Sequence, residues 1–266
     1  MCLIVIGWRS HAEYPCFVAA NRDEMHARPT ARAQWWVDRP AILAGRDLLA
    51  DGTWLGITRA GRFAAVTNYR DPRQRRADAR SRGSLVTWFL NSSPSVPESL
   101  EHLRRVGADY NGFNLIFSDG ERLGVYESVR GEGRELGPGV YGLSNHFLDT
   151  PWPKVNNAKS RVIEALDASM DETETAVLAL LRDERPAPDE LLPRTGVGLE
   201  RERMLSSAFI RTPEYGTRSS TLLRINRHRQ ARFDEWSWDR EGGEIGRISL
   251  QFVLQPSDHS GPLHPG

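Results

Sequence analysis

The chain has 266 residues, of which 39% are hydrophobic and 26% are charged, so it can bury one sizeable core and its composition is ordinary for a globular protein. Its 35 basic side chains balance its 35 acidic ones, and this zero net charge gives no electrostatic support for nucleic acid or an anionic membrane as a partner. Lysine is nearly absent, with Lys154 and Lys159 the only two. We attribute this to the coding bias of a GC-rich genome, which favours arginine codons.

The two cysteines, Cys2 and Cys16, are too few for a disulfide framework and match no zinc signature. We therefore expect a reducing, intracellular setting and no metal. The opening apolar run LIVI (3–6) lacks a basic flank and is too short for a signal peptide or a membrane span. The sequence predicts a cytoplasmic protein without integral membrane association.

Strand patterns dominate the first quarter of the chain. CLIVIGW (2–8) and CFVAAN (16–21) are apolar runs separated by a short polar stretch, which predicts an antiparallel hairpin. TWLGITRAGRFAAVTNY (53–69) predicts a second hairpin with its turn at 59–61.

Helical and strand patterns then alternate. Apolar residues at helical spacing predict helices over 84–91, 99–106, 152–168 and 171–182, the last with Asp171 as N-cap and Glu174 three residues later. Strands are predicted over 113–119, 122–128, 139–145, 219–226, 231–238 and 248–254. This order predicts one α+β domain over 1–255, with helices packed on antiparallel sheets, and a disordered tail over 256–266.

The segment RDPRQRRADARSR (70–82) holds six arginines and two aspartates. It lacks the interleaved aromatic residues of a single-strand binder. A solvated loop is the favoured interpretation, and contact with an anion is the alternative.

Polar residues cluster where predicted strands end or begin: AANRDE (19–24), AVTNY (65–69), YGLSN (141–145) and YGTRSST (215–221). Any one of these asparagines is most simply a turn residue. Four such ends, together with Cys2 at the start of the first strand, favour convergence at one sheet edge.

Cys2 would carry a thiol and a free α-amine on one residue if Met1 were removed. The two groups titrate near pH values of about 8.5 and 8, so the amine is suited to take the thiol proton near neutrality. Asp23, at the end of the neighbouring strand, is the candidate carboxylate that holds the amine.

Two asparagines are candidate donors to a developing oxyanion, Asn68 and Asn145. An arginine, Arg22 or Arg218, would lower the thiol pKa or hold a substrate carboxylate. The candidate substrate-binding residues are Asn21, Arg22, Trp54, Tyr69 and Arg218.

These residues belong to a longer series of motifs. In chain order the series is Cys2, NRDE (21–24), RP (28–29), GTWLGI (52–57), TNY (67–69), RG (82–83), YNGFN (110–114), YGLSN (141–145), TPW (150–152) and YGTRSST (215–221). From Met1 to about Leu254 the chain resembles the NRDE family, also called the transport and Golgi organisation protein 2 family.

The resemblance implies an N-terminal-nucleophile (Ntn) hydrolase-like fold, a four-layer αββα sandwich of two antiparallel sheets flanked by helices. That fold is similar to bile-salt hydrolases and penicillin V acylases, which cleave amides with an N-terminal cysteine. Cys2, Asp23, Asn68 and Asn145 match their catalytic positions. One departure is Ala20, where the acylases have an arginine, so that Arg22 is the nearest substitute.

The resemblance also implies a competing function, the binding and movement of haem, with Cys2, His26 or His146 as candidate ligands. A third alternative is an interaction protein that inherited the fold. The hydrolase, acting on a small amide or acylated metabolite without a cofactor, is favoured because turns alone do not explain the set Cys2, Asp23, Asn68 and Asn145.

Overall fold

The computed structural model describes residues 2–74, 76–166 and 170–256. In these ranges the strands are β1 (Cys2–Trp8), β2 (Cys16–Met25), β3 (Thr30–Trp35), β4 (Ile42–Asp47), β5 (Leu55–Thr58), β6 (Phe63–Asn68), β7 (Phe113–Ser118), β8 (Leu123–Glu127), β9 (Glu132–Leu136), β10 (Gly139–Leu143), β11 (Tyr215–Ile225), β12 (Gln230–Trp238) and β13 (Glu244–Val253). The α-helices are α1 (Gly83–Ser92), α2 (Val96–Val106), α3 (Pro153–Leu166), α4 (Met170–Leu181) and α5 (Leu199–Met204).

The strands form two antiparallel sheets. The first sheet has the order β10-β1-β2-β11-β12-β13, and the second runs β3 to β9 in chain order. The predicted hairpins β1–β2 and β5–β6 and the predicted meander β11–β12–β13 are all confirmed. At the second hairpin Gly61 adopts a φ of 89°, which a glycine takes without strain.

The two sheets stack face to face, and each carries helices on its outer side. Helices α3 and α4 pack on the first sheet, and α1 and α2 pack on the second. Strand β1 shows why its sequence is apolar without interruption: Ile4 and Ile6 face the core between the sheets, while Leu3 and Val5 face the helices. The predicted αββα fold is therefore confirmed.

In the described ranges the boundaries of α1 to α4 differ from their predictions by at most three residues. Helix α2 begins at Val96, three residues early, because Ser95 and Glu98 form a reciprocal capping box around a proline in the first turn. Helix α4 begins at Met170, one residue before the predicted cap. The predicted end of α3, at 167–168, lies outside the described residues.

The sequence patterns missed strands β3, β4 and β9 and helix α5. Strands β3 and β9 are the edges of the second sheet and expose many of their side chains, so neither has a clear apolar alternation. Helix α5 has six residues, too few for a periodic signal. The predicted tail falls on 256–266, of which 257–266 lie outside the described residues.

None of the helices in the described ranges is both long enough and apolar enough to cross a membrane.

Candidate active site

One edge of the sandwich brings together the start of β1, the end of β2, the end of β6 and the start of β11. Cys2 pairs with Arg22 across β1–β2, and Asp23 pairs with Thr217 across β2–β11. A cavity of about 1010 Å³ opens at this edge. We call the lining residues Cys2, Arg22, Asp23 and Asn68 the cavity floor.

Cys2 is 8% exposed and faces the space between the sheets at the bottom of the cavity. Burial raises the pKa of its thiol, while the backbone N–H of Asp23, which hydrogen-bonds to the sulfur, and the nearby charge of Arg22 act in the opposite direction. The thiol is therefore protonated at neutral pH and needs a base before it can act as a nucleophile.

Asp23 is next to the Cys2 thiol, to which its backbone N–H donates. Thr217 Oγ1 donates a hydrogen bond of 2.7 Å to its Oδ1, and burial raises the pKa of the carboxyl. A buried cation stands near it: Lys154, at the start of α3, donates from Nζ to the Leu205 carbonyl at 2.8 Å. Burial lowers the pKa of Lys154 to about 8.

Arg22 is held beside Cys2 by an aromatic ring and a carboxylate. Its guanidinium lies 4.1 Å from the ring centroid of Trp54 and 3.8 Å from Asp47, which also accepts from Arg28 at 2.6 Å. Trp54 fits there because Gly45 has no side chain, since a Cβ at that position would lie 2.3 Å from the indole. Strand alternation thus puts a fixed positive charge next to the thiol.

The two predicted oxyanion donors occupy different places. Asn68 lines the cavity, whereas Asn145 is fully buried behind it and donates from Nδ2 to the Asn68 carbonyl at 2.9 Å. Tyr69 also lines the cavity, and its hydroxyl lies 2.9 Å from Nε2 of His146. The Thr150 hydroxyl lies 3.0 Å from the other ring nitrogen of His146, and His146 does not line the cavity.

Three further candidates are not among the residues that line the cavity. Asn21 points into the helical layer, where it donates to the carbonyls of Leu181 and Ala208 at 2.7 and 2.8 Å. Arg218 donates to the carbonyl of Met25 at the end of β2 and to those of His26 and Arg28 in the turn that follows. His26 contacts the Thr212 carbonyl through Nε2 at 3.1 Å.

The cavity is bordered by the segments 70–72, 79–83 and 197–205, which we call the cavity rim. Sequence reasoning missed 197–205 and favoured a solvated loop for 70–82. Arg70 and Glu202 form an ion pair of 2.7 Å whose side chains are each 4% exposed. The solvated-loop interpretation of 70–82 is therefore wrong for Arg70, although Arg73 in the same segment is exposed. The adjoining TNY motif was a signal for Arg70, whereas no motif marks Glu202.

Among the described residues, no group of three or more histidine, cysteine, aspartate or glutamate side chains is arranged to hold a metal ion.

Comparisons with known proteins extend over nearly the whole chain. The family model described as "Transport and Golgi organisation 2" matches residues 1–240. A Bos taurus transport and Golgi organization protein 2 homolog is 38% identical over 261 residues, covering 89% of this chain and 93% of its own. The Homo sapiens homolog is 36% identical over 281 residues, covering 96% and 100%.

Solved structures similar to the chain include two hydrolases. The C2A mutant of conjugated bile acid hydrolase from Clostridium perfringens has a TM-score of 0.48 and 9% identity, covering 94% of this chain and 92% of its own. The Caenorhabditis elegans ortholog of N-acylethanolamine-hydrolyzing acid amidase has a TM-score of 0.42 and 8% identity, covering 84% and 92%.

Proposed function

This chain belongs to the transport and Golgi organisation 2 family, and we propose that it is an N-terminal-cysteine amidohydrolase acting on a small amide or acylated metabolite. The resemblance drawn from its motifs is thereby confirmed. One observation carries the proposed activity: the Cys2 thiol lies at the bottom of a large cavity, beside Asp23 and Arg22.

The proposed reaction begins with removal of Met1, which lies outside the described residues. The freed α-amine takes the thiol proton, and the sulfur attacks the amide carbonyl carbon. The tetrahedral intermediate expels the amine, which leaves with that proton, and a thioester to Cys2 remains. Water then hydrolyses the thioester and releases the acid.

Each nearby side chain has a distinct role in this scheme. Asp23 holds the α-ammonium group, and Arg22 favours the thiolate that burial disfavours. Asn68 donates to the oxyanion, and Asn145 is a positioning residue because it holds the Asn68 backbone.

Haem binding has less support from this site. The His26 and His146 imidazoles both contact protein groups and do not line the cavity, so of the three predicted ligands Cys2 alone is on its lining. Burial also opposes the thiolate that iron would need. The three predicted ligands therefore support haem binding less well than they support the amide reaction.

The test is intact-mass analysis of untagged protein before and after brief exposure to iodoacetamide, followed by a screen of small amides. We expect loss of Met1, selective labelling of Cys2, and turnover that Cys2→Ala reduces by at least about a thousandfold. Cys16→Ala is the matched control, because burial raises the pKa of the Cys16 thiol to about 12 and it lies in the core. A retained Met1, or a Cys2 that is no more reactive than Cys16, contradicts the proposal.

A further inference from the structure

Six arginines line the cavity, and they fall into two groups. Arg22 and Arg28 share the carboxylate of Asp47, and Arg70 pairs with Glu202. The second group consists of Arg80, Arg82 and Arg201, all on the cavity rim.

The positive charges of two members of the second group are largely not neutralised by a carboxylate. Arg201 is exposed and, within the described ranges, has no acidic side chain at ion-pair distance. Arg80 lies 3.8 Å from Asp109, but the two side chains are 61% and 55% exposed, so this pair neutralises little. The third member, Arg82, donates to the Gly112 carbonyl at 3.2 Å, and this contact places its guanidinium on the rim.

All three of these arginines line this one cavity. The ion pair of Arg70 with Glu202 ties the segment that begins at Arg70 to helix α5, and Arg201 is the residue before Glu202. A cationic surface inside a concave site attracts an anionic ligand more strongly than the same charges on an open surface.

The acidic residues of the lining do not cancel this charge. Asp47 is shared by Arg22 and Arg28, and Asp71 pairs with Arg73. Asp23 lies on the cavity floor, where Lys154 is a nearby buried cation. Glu24 and Glu214 lie at the end of β2 and just before β11, on the first sheet's side of the cavity. The positive charge is therefore concentrated on the rim.

We propose that Arg80, Arg82 and Arg201 form a subsite for an oxyanion, a carboxylate or a phosphate, on the substrate whose amide reaches Cys2. The inference rests on the proposed function for the position of the amide. It gives the arginine-rich segment 70–82 a role in recognition that its sequence alone left open, and it names the substrate class as an anionic amide.

The test measures binding by calorimetry in a Cys2→Ala background, where no turnover occurs. The probes are N-acetyl-6-aminohexanoate, its neutral carboxamide, and N-acetyl-6-aminohexyl phosphate. We expect each anionic probe to bind about tenfold more tightly than the neutral one, as hydrogen bonds to a charged group allow. The tighter of the two anions identifies the group.

Arg80→Gln combined with Arg201→Gln should reduce this preference to about twofold or less. The control is Arg105→Gln, an exposed arginine of α2 outside the cavity lining, which should leave the preference unchanged. Equal binding of charged and neutral probes, no binding of either, or a preference lost only in Arg22→Gln overturns the inference.

The test also separates this inference from the hydrolase. A charge preference without turnover in the unmodified protein would overturn the hydrolase and keep the subsite. Turnover without a charge preference would overturn the subsite alone.

Discussion

The cavity floor and the cavity rim are built in different ways. Floor residues lie on or next to strands, and ladder register places Cys2 opposite Arg22 and Asp23 opposite Thr217. The rim consists of connecting segments and one short helix, held together by side-chain contacts such as Arg70 with Glu202. Under the proposed function, the sheets therefore fix the proposed reacting groups, while the proposed anion subsite lies on loops, where sequence is freer to vary.

Breaking the central contact of the rim should have the largest effect on stability. Glu202→Gln keeps the shape of the side chain but leaves Arg70 as an uncompensated buried charge, so we expect a loss of about 3–5 kcal/mol in the free energy of unfolding. Urea denaturation measures this loss.

The matched control is Glu184→Gln, whose partner Arg211 is half exposed, and it should cost less than about 1 kcal/mol. Hydrogen exchange sharpens the comparison: amides of 195–205 should exchange faster in Glu202→Gln, while those of β1 and β2 stay protected. Equal losses in both variants would show that the rim does not depend on its buried ion pair.

The sheet that carries the cavity floor should respond to pH through Glu235 on β12, a buried carboxyl near Arg22 that accepts a hydrogen bond from the Ala33 amide at 2.8 Å. Burial raises its pKa from 4.5 to about 7, with Arg22 and Arg32 acting in the opposite direction. The folded state therefore binds a proton that the unfolded chain has lost, so this contribution is complete below pH 4.5 and disappears as the pH rises through 7.

The expected difference is on the order of 3 kcal/mol, measured as the change in unfolding free energy between pH 4.5 and pH 7.5 in the protein and in Glu235→Gln. The variant should show a flatter profile, whereas Glu244→Gln, at an exposed position on β13, should match the unmodified protein. Parallel profiles for all three proteins would exclude Glu235 as the source.

The smallest expected effect concerns the packing of Trp54 against Gly45. Gly45→Ala puts a methyl group in collision with the indole and displaces Trp54 from Arg22, with a cost of about 1–2 kcal/mol. Gly137→Ala is the control, since no atom lies within 4 Å of its added Cβ. Thermal unfolding compares the two variants. An unchanged melting temperature in Gly45→Ala would mean that Trp54 adopts another rotamer without loss of stability.

The sequence predicted the floor far better than the rim, for physical reasons. Unbroken apolar runs flanked by polar ends marked β1 and β2, as expected of strands that are buried on both faces. Edge strands β3 and β9 carry charged side chains and gave no such pattern. Contacts such as Arg70 with Glu202 join residues far apart in the chain, which no local pattern can reveal.

The alternation of side chains along β2 gives one prediction that the NRDE motif by itself does not. Asn21 and Arg22 are neighbours in NRDE, so on a strand they must face opposite sides of the sheet. Arg22 faces the cavity and Asn21 faces the helices. Period-two geometry, applied to the sequence alone, therefore predicts that these two neighbours do not share one face of the sheet.

The pairing of β2 with β11 also bears on how the chain is made. Asp23 lies opposite Thr217, so the ribosome must add almost two hundred residues after Asp23 before that ladder can close. At about 5–20 residues per second this takes on the order of 10 s or longer. Throughout that interval the first residues of the nascent chain are outside any finished cavity and are accessible to processing enzymes, which would be shut out once the sheet is complete.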